Sequence, residues 1–197
     1  MALKKHAKRF VLRILEKILI CIHKLVGPPH ILVYSLNINL AMLKAFGATV
    51  GKNVRVYPPV ALHNISKGYG NLTIGDDCVI HANTYLDLTA RITLEDGVSL
   101  APGTIIMTHN RYNFNPFLEE ALPHTCGQKD VVIKKGSGIK AGALITMGMT
   151  VGENSVVAGG AVINRSVGDR VFVGGVPGRV IKTINPPKEC PNDESGQ

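Results

Sequence analysis

The segment VVIKKGSGIKAGALITMGMTVGENSVVAGGAVI, residues 131–163, carries an aliphatic side chain at every sixth position. These positions are Ile133, Ile139, Ile145, Val151, Val157 and Ile163. The residue two places before each of them is small or β-branched in every case except Met149. An α-helix repeats every 3.6 residues and a strand every two, so neither explains a period of six. The period therefore indicates a repeating supersecondary unit.

A short strand followed by a two-residue corner accounts for this period. Three such units close one triangular turn, and successive turns stack at about 4.8 Å, the ordinary distance between paired strands. The aliphatic side chains then form one continuous buried column, which a single repeat could not provide. A β-sandwich with accidental spacing is the alternative, but six uninterrupted matches disfavour it. We predict a parallel β-helix.

The same rule holds in an earlier block of the chain, with two interruptions. Its aliphatic positions are Val50, Val56, Leu62, Ile74, Ile80, Leu88, Leu94, Leu100 and Ile106. Insertions are predicted near residues 63–71 and 81–87. Glycine follows the aliphatic residue at positions 51, 75 and 152, where a sharp corner is expected to favour a residue without Cβ strain.

The composition fits a single domain with many tight corners. The 197 residues include 21 Gly and 11 Pro, with 45% hydrophobic and only 5% aromatic residues, which favours a core of small and β-branched side chains. Cys21, Cys78, Cys126 and Cys190 are far apart and form no CxxC pair. Neither a disulfide framework nor a zinc site is indicated, and a reducing cytosol fits best.

Most of the positive charge lies at the N-terminus. The chain has a formal net charge of +8, and residues 1–24 contribute seven basic side chains against Glu16 alone. The segment RFVLRILEKILICIHKL predicts an amphipathic helix, too often interrupted by charge to span a membrane and not followed by a convincing signal-peptide cleavage site. Two interpretations stay open for residues 4–26. The helix could lie on an anionic membrane surface, or it could pack on its own subunit or a neighbouring one.

Three regions follow from these patterns. A second helix is predicted over ILVYSLNINLAMLKAF, ended by Gly47, so residues 1–47 form an N-terminal helical segment that could associate with a membrane. Residues 48–184 form the β-helix, with an extended loop over residues 109–130. The polar tail, residues 185–197, is expected to be poorly ordered.

Several stretches resemble a known family. IGDDCVIHANTYLD, LAPGTIIMTHN, AGALITMGMTVGENSVVAGGAVINRSV and VFVGGVPGRVIKTI are similar to the hexapeptide-repeat acyltransferases, in particular the sugar and polysaccharide O-acetyltransferases related to the maltose, galactoside and colanic acid enzymes. The resemblance covers roughly residues 40–184. It implies a left-handed β-helix, a homotrimer, acetyl-CoA as the donor and active sites in clefts between subunits.

The resemblance assigns catalysis to His109. The histidine of the family's TH motif occupies this position, just after the corner APG and before the loop. A sugar hydroxyl is a poor nucleophile at neutral pH, whereas a histidine with an ordinary pKa near 6.5 accepts its proton as it attacks a thioester. Transfer is then direct and needs no covalent enzyme intermediate. A histidine at the edge of a loop could otherwise be merely solvent-exposed.

Acceptor contacts are expected at four other residues. Asn83 matches a family asparagine that helps to hold the acceptor, although an asparagine at a corner could instead serve a left-handed backbone conformation. Asp87 is a weaker acceptor-site candidate because the corresponding family acid is displaced by one or two positions. Asn110 and Tyr112 open the loop and could line the acceptor pocket.

The resemblance also assigns residues to acetyl-CoA. Ala141 and Gly159 would offer backbone groups to the pantetheine arm, and Asn164 and Arg165 would lie near the adenosine end. Arg179 and Lys182 would supply positive charge for the phosphates. Each basic residue could equally be a solvated surface charge.

Three alternatives have observable consequences. His81, His109 and His124 could form a zinc site, as three histidines do in the γ-class carbonic anhydrases on this fold, but their spacing does not match, and no metal is expected to be required. A non-catalytic scaffold would not be stabilised by CoA. An N-acetyltransferase acting on an amino sugar or a drug would differ only in its acceptor.

Together these observations predict an acetyl-CoA-dependent O-acetyltransferase acting on a sugar hydroxyl of a saccharide or polysaccharide precursor, and a lipid-linked acceptor stays open. A bacterial, cytoplasmic location is expected, and a peripheral position on the cytoplasmic face of the inner membrane stays open. No nucleic acid partner is expected.

Overall fold

The computed structural model describes residues 2–33, 36–111 and 115–185. Three parallel sheets form the faces of a triangular column of about 5 turns. Strands of face 1 are β2 (Thr49–Val50), β5 (Leu72–Ile74), β8 (Ile92–Leu94), β13 (Val131–Ile133) and β16 (Thr150–Val151). Strands of face 2 are β3 (Arg55–Val56), β6 (Val79–Ile80), β9 (Ser99–Leu100), β14 (Gly138–Ile139), β17 (Val156–Val157), β19 (Val171–Gly174) and β20 (Arg179–Thr183), the last of which is antiparallel. Strands of face 3 are β1 (Ile31–Leu32, antiparallel), β4 (Val60–His63), β7 (Thr84–Asp87), β10 (Ile105–Ile106), β15 (Leu144–Ile145) and β18 (Val162–Ile163).

The aliphatic residues of the repeat fill the column, as predicted. Each of the six from Ile133 to Ile163 is at most 1% exposed. Equivalent residues of successive turns are register partners, as Leu100 is with Ile139 and Ile139 with Val157. The prediction of a left-handed parallel β-helix is confirmed.

Close packing between turns explains the glycines that follow the aliphatic residues. A Cβ on Gly51 would lie 2.7 Å from the carbonyl carbon of Gly75, and one on Gly75 would lie 2.9 Å from that of Glu95. Contact with the next turn therefore excludes a side chain at these positions. The sharp-corner explanation applies two residues later, where Asn53 and Asp77 have φ of 54° and 57°.

All departures from the six-residue period occur at one corner, between face 3 and face 1, which we call the irregular corner. Inner residues on its two sides are 12 residues apart in one turn (Leu62 to Ile74) and 8 in the next (Leu86 to Leu94). In the third turn 27 residues separate Ile106 from Ile133. The second insertion therefore follows Leu86, and the prediction of 81–87 was wrong. Leu88 is buried, but Leu86 occupies the repeat position, paired with Leu62 and Ile106.

The corner between face 2 and face 3 keeps the period in every turn, and we call it the regular corner. Its successive levels are residues 57–59, 81–83, 101–103, 140–142 and 158–160. Backbone N–H groups bond to the next turn throughout; for example, the N–H of Ala101 donates to the carbonyl of Ile139 at 2.8 Å.

Two helices, α1 (Ala2–Val26) and α2 (Leu36–Ala45), lie at the start of the column. The second predicted helix begins later than expected because Ile31 and Leu32 pair with β4 instead. It ends as predicted: Gly47 has φ of 103°, and the N–H of Ala48 donates to the carbonyl of Leu43 at 3.0 Å. Among the described residues, no helix has the length and apolar character needed to cross a bilayer.

Candidate active site

The irregular corner collects polar residues from three successive turns. Asn64 begins the first insertion, Asp87 and Thr89 belong to the second, and Thr108 and His109 stand where the long loop leaves the column. Because the insertions lie above one another, side chains about 20 residues apart in sequence become neighbours. The polar side chains are therefore grouped where the six-residue repeat is interrupted.

Asp87 is fully buried at the centre of this group. Its Oδ2 accepts hydrogen bonds from the N–H groups of Thr108 (2.9 Å) and His109 (3.0 Å), and the Thr108 hydroxyl donates to the backbone carbonyl of Asp87 (2.7 Å). Its Oδ1 accepts from Asn64 Nδ2 (3.0 Å), Thr89 N (3.2 Å) and Thr89 Oγ1 (2.7 Å).

Burial alone would raise the pKa of Asp87. Hydrogen bonds from Thr89, His109, Thr108 and Asn64 outweigh this effect and hold the pKa well below its ordinary value. The Asp87 side chain is therefore a carboxylate at neutral pH, and it acts only as a hydrogen-bond acceptor.

This charge fixes the tautomer of His109. Its Nδ1 lies 2.5 Å from Asp87 Oδ2 and 3.0 Å from Thr89 Oγ1. The Thr89 hydroxyl donates its only hydrogen to Asp87, so Nδ1 must carry a proton to bond either neighbour. In the neutral ring Nε2 is then unprotonated and free to accept a proton. The His109 side chain is 25% exposed, against 0% for Asp87.

Asp87 was predicted as an acceptor-site candidate, and the structure overturns that role. Its side chain has no exposed surface, and protein donors occupy both oxygens. The carboxylate therefore cannot contact a sugar directly. It orients His109 instead.

Asn83 lies at the other end of the same strand. It stands at the regular corner, exposed, with φ of 61° and its N–H bonded to the carbonyl of Pro59 at 2.6 Å. The four residues of β7 separate the two corners by roughly 13 Å at about 3.3 Å per residue. Within one chain, Asn83 and His109 are therefore not brought into one site.

The residues predicted to bind acetyl-CoA divide between the same corners. Ala141 and Gly159 are exposed on the regular corner, whereas Asn164 and Arg165 are exposed on the irregular corner, two turns above His109. Arg179 and Lys182 lie on β20, which pairs with β19 of face 2. Lys182 Nζ is 5.8 Å from the centre of the Phe172 ring.

The long loop is joined to the column by a short antiparallel ladder. Strand β11 (His109–Asn110) pairs with β12 (Gly127–Gln128), and between them lie α3 (Pro116–Ala121) and a 3-10 helix (Pro123–Thr125). Asn110 Nδ2 donates to the carbonyl of Thr125 at 2.8 Å. Tyr112 lies outside the described residues.

Comparison with known proteins shows the family. Residues 72–88 and 131–165 match the hexapeptide repeat of succinyl-transferase. Over 151 residues the chain is 31% identical to the galactoside O-acetyltransferase of Escherichia coli (strain K12), covering 74% of this chain and 68% of that protein. The chain belongs to the hexapeptide-repeat acetyltransferases.

Solved structures of related acetyltransferases extend this result. A galactoside acetyltransferase in complex with coenzyme A superposes with a TM-score of 0.67 at 26% identity, covering 88% of this chain and 80% of that chain. A hexapeptide-repeat acetyltransferase of Vibrio cholerae O1 biovar eltor in complex with acetyl-CoA gives 0.65 at 26% identity, covering 75% and 77%. The present acetyltransferase likewise uses acetyl-CoA.

The exposed groups of this acetyltransferase fit such a donor. Ala141 and Gly159 carry little or no side chain, so a thin pantetheine arm can approach the backbone there. Arg165, Arg179 and Lys182 are exposed cations suited to phosphates. In the described part of the chain, no three His, Cys, Asp or Glu side chains are grouped so as to hold a metal ion.

Sequence reasoning missed four residues of this acetyltransferase's site. Asn64, Thr89 and Thr108 hold Asp87, and His63 places its ring parallel to that of His109, with the centroids 6.4 Å apart. All four lie in or beside the insertions. One signal in the sequence could have found them. The insertions that precede the TH motif lie at the same corner as that motif, and they contain polar residues.

Proposed function

We propose that this enzyme transfers the acetyl group to a hydroxyl of a saccharide or polysaccharide precursor, with His109 as the general base. The observation that carries the proposal is the hydrogen bond between buried Asp87 and His109 Nδ1, which leaves Nε2 able to accept a proton. Relatives named for galactoside and maltose acetylation support a sugar acceptor.

In the proposed reaction, His109, supported by Asp87, first accepts one proton and then returns it. His109 Nε2 takes the proton from the acceptor hydroxyl while that oxygen adds to the thioester carbonyl, and the Asp87 carboxylate stabilises the imidazolium that forms. When the carbon–sulfur bond breaks, His109 returns the proton to the departing thiolate. An ester forms, free CoA is released and the enzyme is restored.

Substitution of His109 tests the proposal. His109→Ala should lower kcat by about 10²–10⁴-fold without unfolding the protein, because the side chain lies outside the aliphatic column. The assay is CoA release against a panel of mono- and oligosaccharides and one amino sugar. His30→Ala removes an exposed histidine at the base of the column and should change nothing. Near-normal turnover of His109→Ala would refute the general base, and transfer confined to the amine would refute O-acetylation.

We propose a homotrimer as the active form, because the site residues occupy two corners. If three chains turn face 3 toward a common threefold axis, the irregular corner of each subunit lies beside the regular corner of the next. His109 of one chain then meets Asn83, Ala141 and Gly159 of its neighbour across one groove. This arrangement unites residues that a single chain keeps apart.

The outward side chains support face 3 as the surface that packs. Those of face 3 are Ala61, Tyr85, Ile105, Leu144 and Val162. Those of face 1 are Thr49, Thr73, Thr93, Val132 and Thr150. The apolar set gains more from burial, so face 3 is the better contact surface.

We propose that α1 places the enzyme on the cytoplasmic face of an anionic membrane, near a lipid-linked acceptor. Leu19 and Ile20 pack against the core, while Ile14, Ile18 and Ile22 are 42–49% exposed along one line of the helix. Seven basic residues among the first 24 complement an anionic headgroup layer. Apolar side chains beside positive charge are typical of helices that lie in this layer.

Vesicle binding tests this placement. The double variant Ile18→Asp, Ile22→Asp should abolish co-sedimentation with vesicles of mixed zwitterionic and anionic lipid, while soluble-acceptor turnover is retained. Wild-type binding should weaken with salt. Undiminished binding by the variant would contradict the proposal. A change of oligomeric state without loss of binding would instead assign the exposed Ile14, Ile18 and Ile22 to a contact between subunits.

A further inference from the structure

A polar cleft of about 450 Å³ opens at the irregular corner, between the first two insertions and the end of the long loop. We call it the insertion cleft. Its volume lies in the range of small-molecule sites, roughly 300–1,000 Å³. None of its residues belongs to the sets predicted to bind acetyl-CoA or the acceptor. They are Asn64, Ser66, Lys67, Gly68, Gly70 and Asn71 of the first insertion, Leu88 and Thr89 of the second, and Gln128 of the loop.

Two buried side chains hold the first insertion against the column. Ile65 and Tyr69 are 2% and 0% exposed, and the Tyr69 hydroxyl donates to the carbonyl of Pro29 at 2.6 Å. The core therefore fixes this segment from beneath, while Ser66 and Lys67, which lie between the two buried residues in sequence, are exposed. One wall of the cleft is thus pre-formed, as the walls of ligand sites usually are.

Hydrogen bonds determine which atoms of two asparagines remain for a ligand. Asn64 Nδ2 donates to Asp87 Oδ1 and to Thr89 Oγ1. Asn71 Nδ2 donates to the backbone carbonyls of Leu88 (2.9 Å) and Thr89 (3.3 Å). A carboxylate and a carbonyl can only accept, so the nitrogen of each amide must be the atom that faces them. Within the described part of the chain, Oδ1 of both asparagines has no hydrogen-bond donor.

This lining is suited to a ligand that carries hydroxyl groups. The two asparagine oxygens require donors, and oxygens fixed in this way disfavour a phosphate or carboxylate. Ser66 and Gln128 are exposed and can each donate and accept, and Lys67 is the only cation of the described lining. Leu88 is 2% exposed, so the cleft offers little apolar surface. A hydroxyl both donates and accepts, and a glycosyl residue carries several.

The insertion cleft adjoins His109, the proposed general base. Oγ1 of Thr89, which lines the cleft, is 3.0 Å from His109 Nδ1. Gln128 is the register partner of His109, which places their Cα atoms about 5 Å apart. Asn164 and Arg165, assigned to the donor, lie two turns later at the same corner. The cleft is therefore on the side of His109 away from the donor, where the rest of an acceptor molecule can extend.

We infer that the insertion cleft is a sugar subsite for the glycosyl residue next to the one that is acetylated, so that the acceptor is an oligosaccharide or polysaccharide chain rather than a free monosaccharide. The inference rests on the proposed function. The transfer step is unchanged: the acceptor oxygen forms the ester bond, the carbon–sulfur bond breaks, and the hydroxyl proton passes through His109 to the thiolate. The subsite adds contacts away from the reacting atoms.

Acceptors of increasing length test the inference. CoA release from acetyl-CoA is measured with glucose, maltose and maltotriose, and with galactose, galactobiose and galactotriose. In a series that reacts, the trisaccharide should have a kcat/KM at least about tenfold above that of its monosaccharide, or about 1.4 kcal/mol. The gain should appear mainly in KM, because the cleft does not contact the reacting atoms. Inorganic phosphate should not compete with the trisaccharide.

A substitution at Gly70 fills the cleft without straining the backbone. Gly70 has no positive φ, and a Cβ there would meet no atom within 4 Å beyond its chain neighbours. Gly70→Leu should raise KM for the trisaccharide about tenfold or more and leave KM for the monosaccharide unchanged. Gly168→Leu is the matched control, because position 168 is equally open and exposed but lies outside the cleft. The double variant Ser66→Ala, Gln128→Ala removes hydrogen-bonding groups without adding bulk and should shift the same ratio in the same direction.

Binding measurements distinguish the subsite from the chemistry. His109→Ala should still bind the trisaccharide in isothermal titration calorimetry, and addition of Gly70→Leu should abolish that binding. Equal kcat/KM for mono- and trisaccharide, equal losses for both in Gly70→Leu, or competition by phosphate would overturn the subsite and leave acetyl transfer standing. Trisaccharide binding without transfer to any sugar would support the subsite and overturn the proposed acceptor chemistry. Neither binding nor transfer would overturn both.

Discussion

The regular corner and the irregular corner have the same scaffold but different roles. At the regular corner every turn repeats after six residues, and small exposed residues such as Ala141 and Gly159 leave the backbone open. At the irregular corner, insertions of different lengths place Asp87, Thr89 and His109 in one hydrogen-bonded group. Regular winding thus leaves the backbone exposed at one corner, whereas its interruptions bring polar side chains into contact at the other.

The difference also appears in how polar groups are satisfied. At the regular corner backbone groups bond to the backbone of the adjacent turn. At the irregular corner the carboxylate of Asp87 accepts the N–H groups of Thr108 and His109 in place of a strand carbonyl. One side chain thereby both satisfies two backbone N–H groups and fixes the orientation of the His109 ring. Changing it should affect catalysis more strongly than any change at the regular corner that leaves the groove open.

Apart from the loss of His109 itself, removal of the Asp87 charge should have the largest effect at the irregular corner. Asp87→Asn keeps the shape of the side chain but no longer stabilises an imidazolium, so kcat should fall about 10²-fold. The matched control is Asp77→Asn, an exposed residue with φ of 57° that an asparagine readily adopts. Steady-state kinetics and size-exclusion chromatography provide the measurement. Equal kcat in the two variants would show that Asp87 has only a structural role.

Mixed trimers test whether one site uses both corners. Ala141→Trp should block the regular corner, and His109→Ala inactivates the irregular one. Trimers that contain both chains, isolated through two different tags, have one intact groove in three, so activity should recover to about one third of the wild-type value.

The control for this experiment combines two variants of the same corner. Mixed trimers of His109→Ala and Asp87→Asn contain no intact groove, because each groove takes both residues from one chain. They should stay inactive. Recovery in this control, or none in the first mixture, would contradict a site shared between the two corners.

Sequence alone predicted the regular half of the molecule better than the irregular half. The period of Ile133, Ile139 and Ile145 reports burial directly, because each inward position must be aliphatic. Leu88 was predicted at the repeat position that Leu86 occupies. An insertion of two residues follows Leu86, and Leu88 is also buried and lies six residues before Leu94. Within such an insertion, spacing no longer indicates which side chains point inward.

The same limit applies to the candidate site. His109 was predicted as the general base because a motif resembles a family pattern, whereas Asp87, which bonds to it, was predicted as an acceptor contact. Contact between Asp87 and His109 depends on how the second insertion lies beneath the start of the loop. A carboxylate at a loop edge is ordinarily exposed, and only the stacking of three insertions buries this one.

The smallest expected effect concerns stability in acid. Because the folded state holds the pKa of Asp87 below its ordinary value, the unfolded state binds more protons there, and the free energy of unfolding must fall as pH decreases. This contribution is complete above the ordinary aspartate pKa, about 3.9, and is lost as pH falls from there toward the folded value. The regular corner contains no carboxylate that could contribute in the same way, as its residues 57–59, 81–83, 101–103, 140–142 and 158–160 show. The loss of stability from Asp87 therefore belongs to the irregular corner.

Urea unfolding between pH 6 and pH 3 should therefore show a weaker pH dependence for Asp87→Asn than for Asp77→Asn. Identical slopes would mean that Asp87 is not held ionised by its neighbours, which would also remove the reason for assigning the proton to Nδ1 of His109.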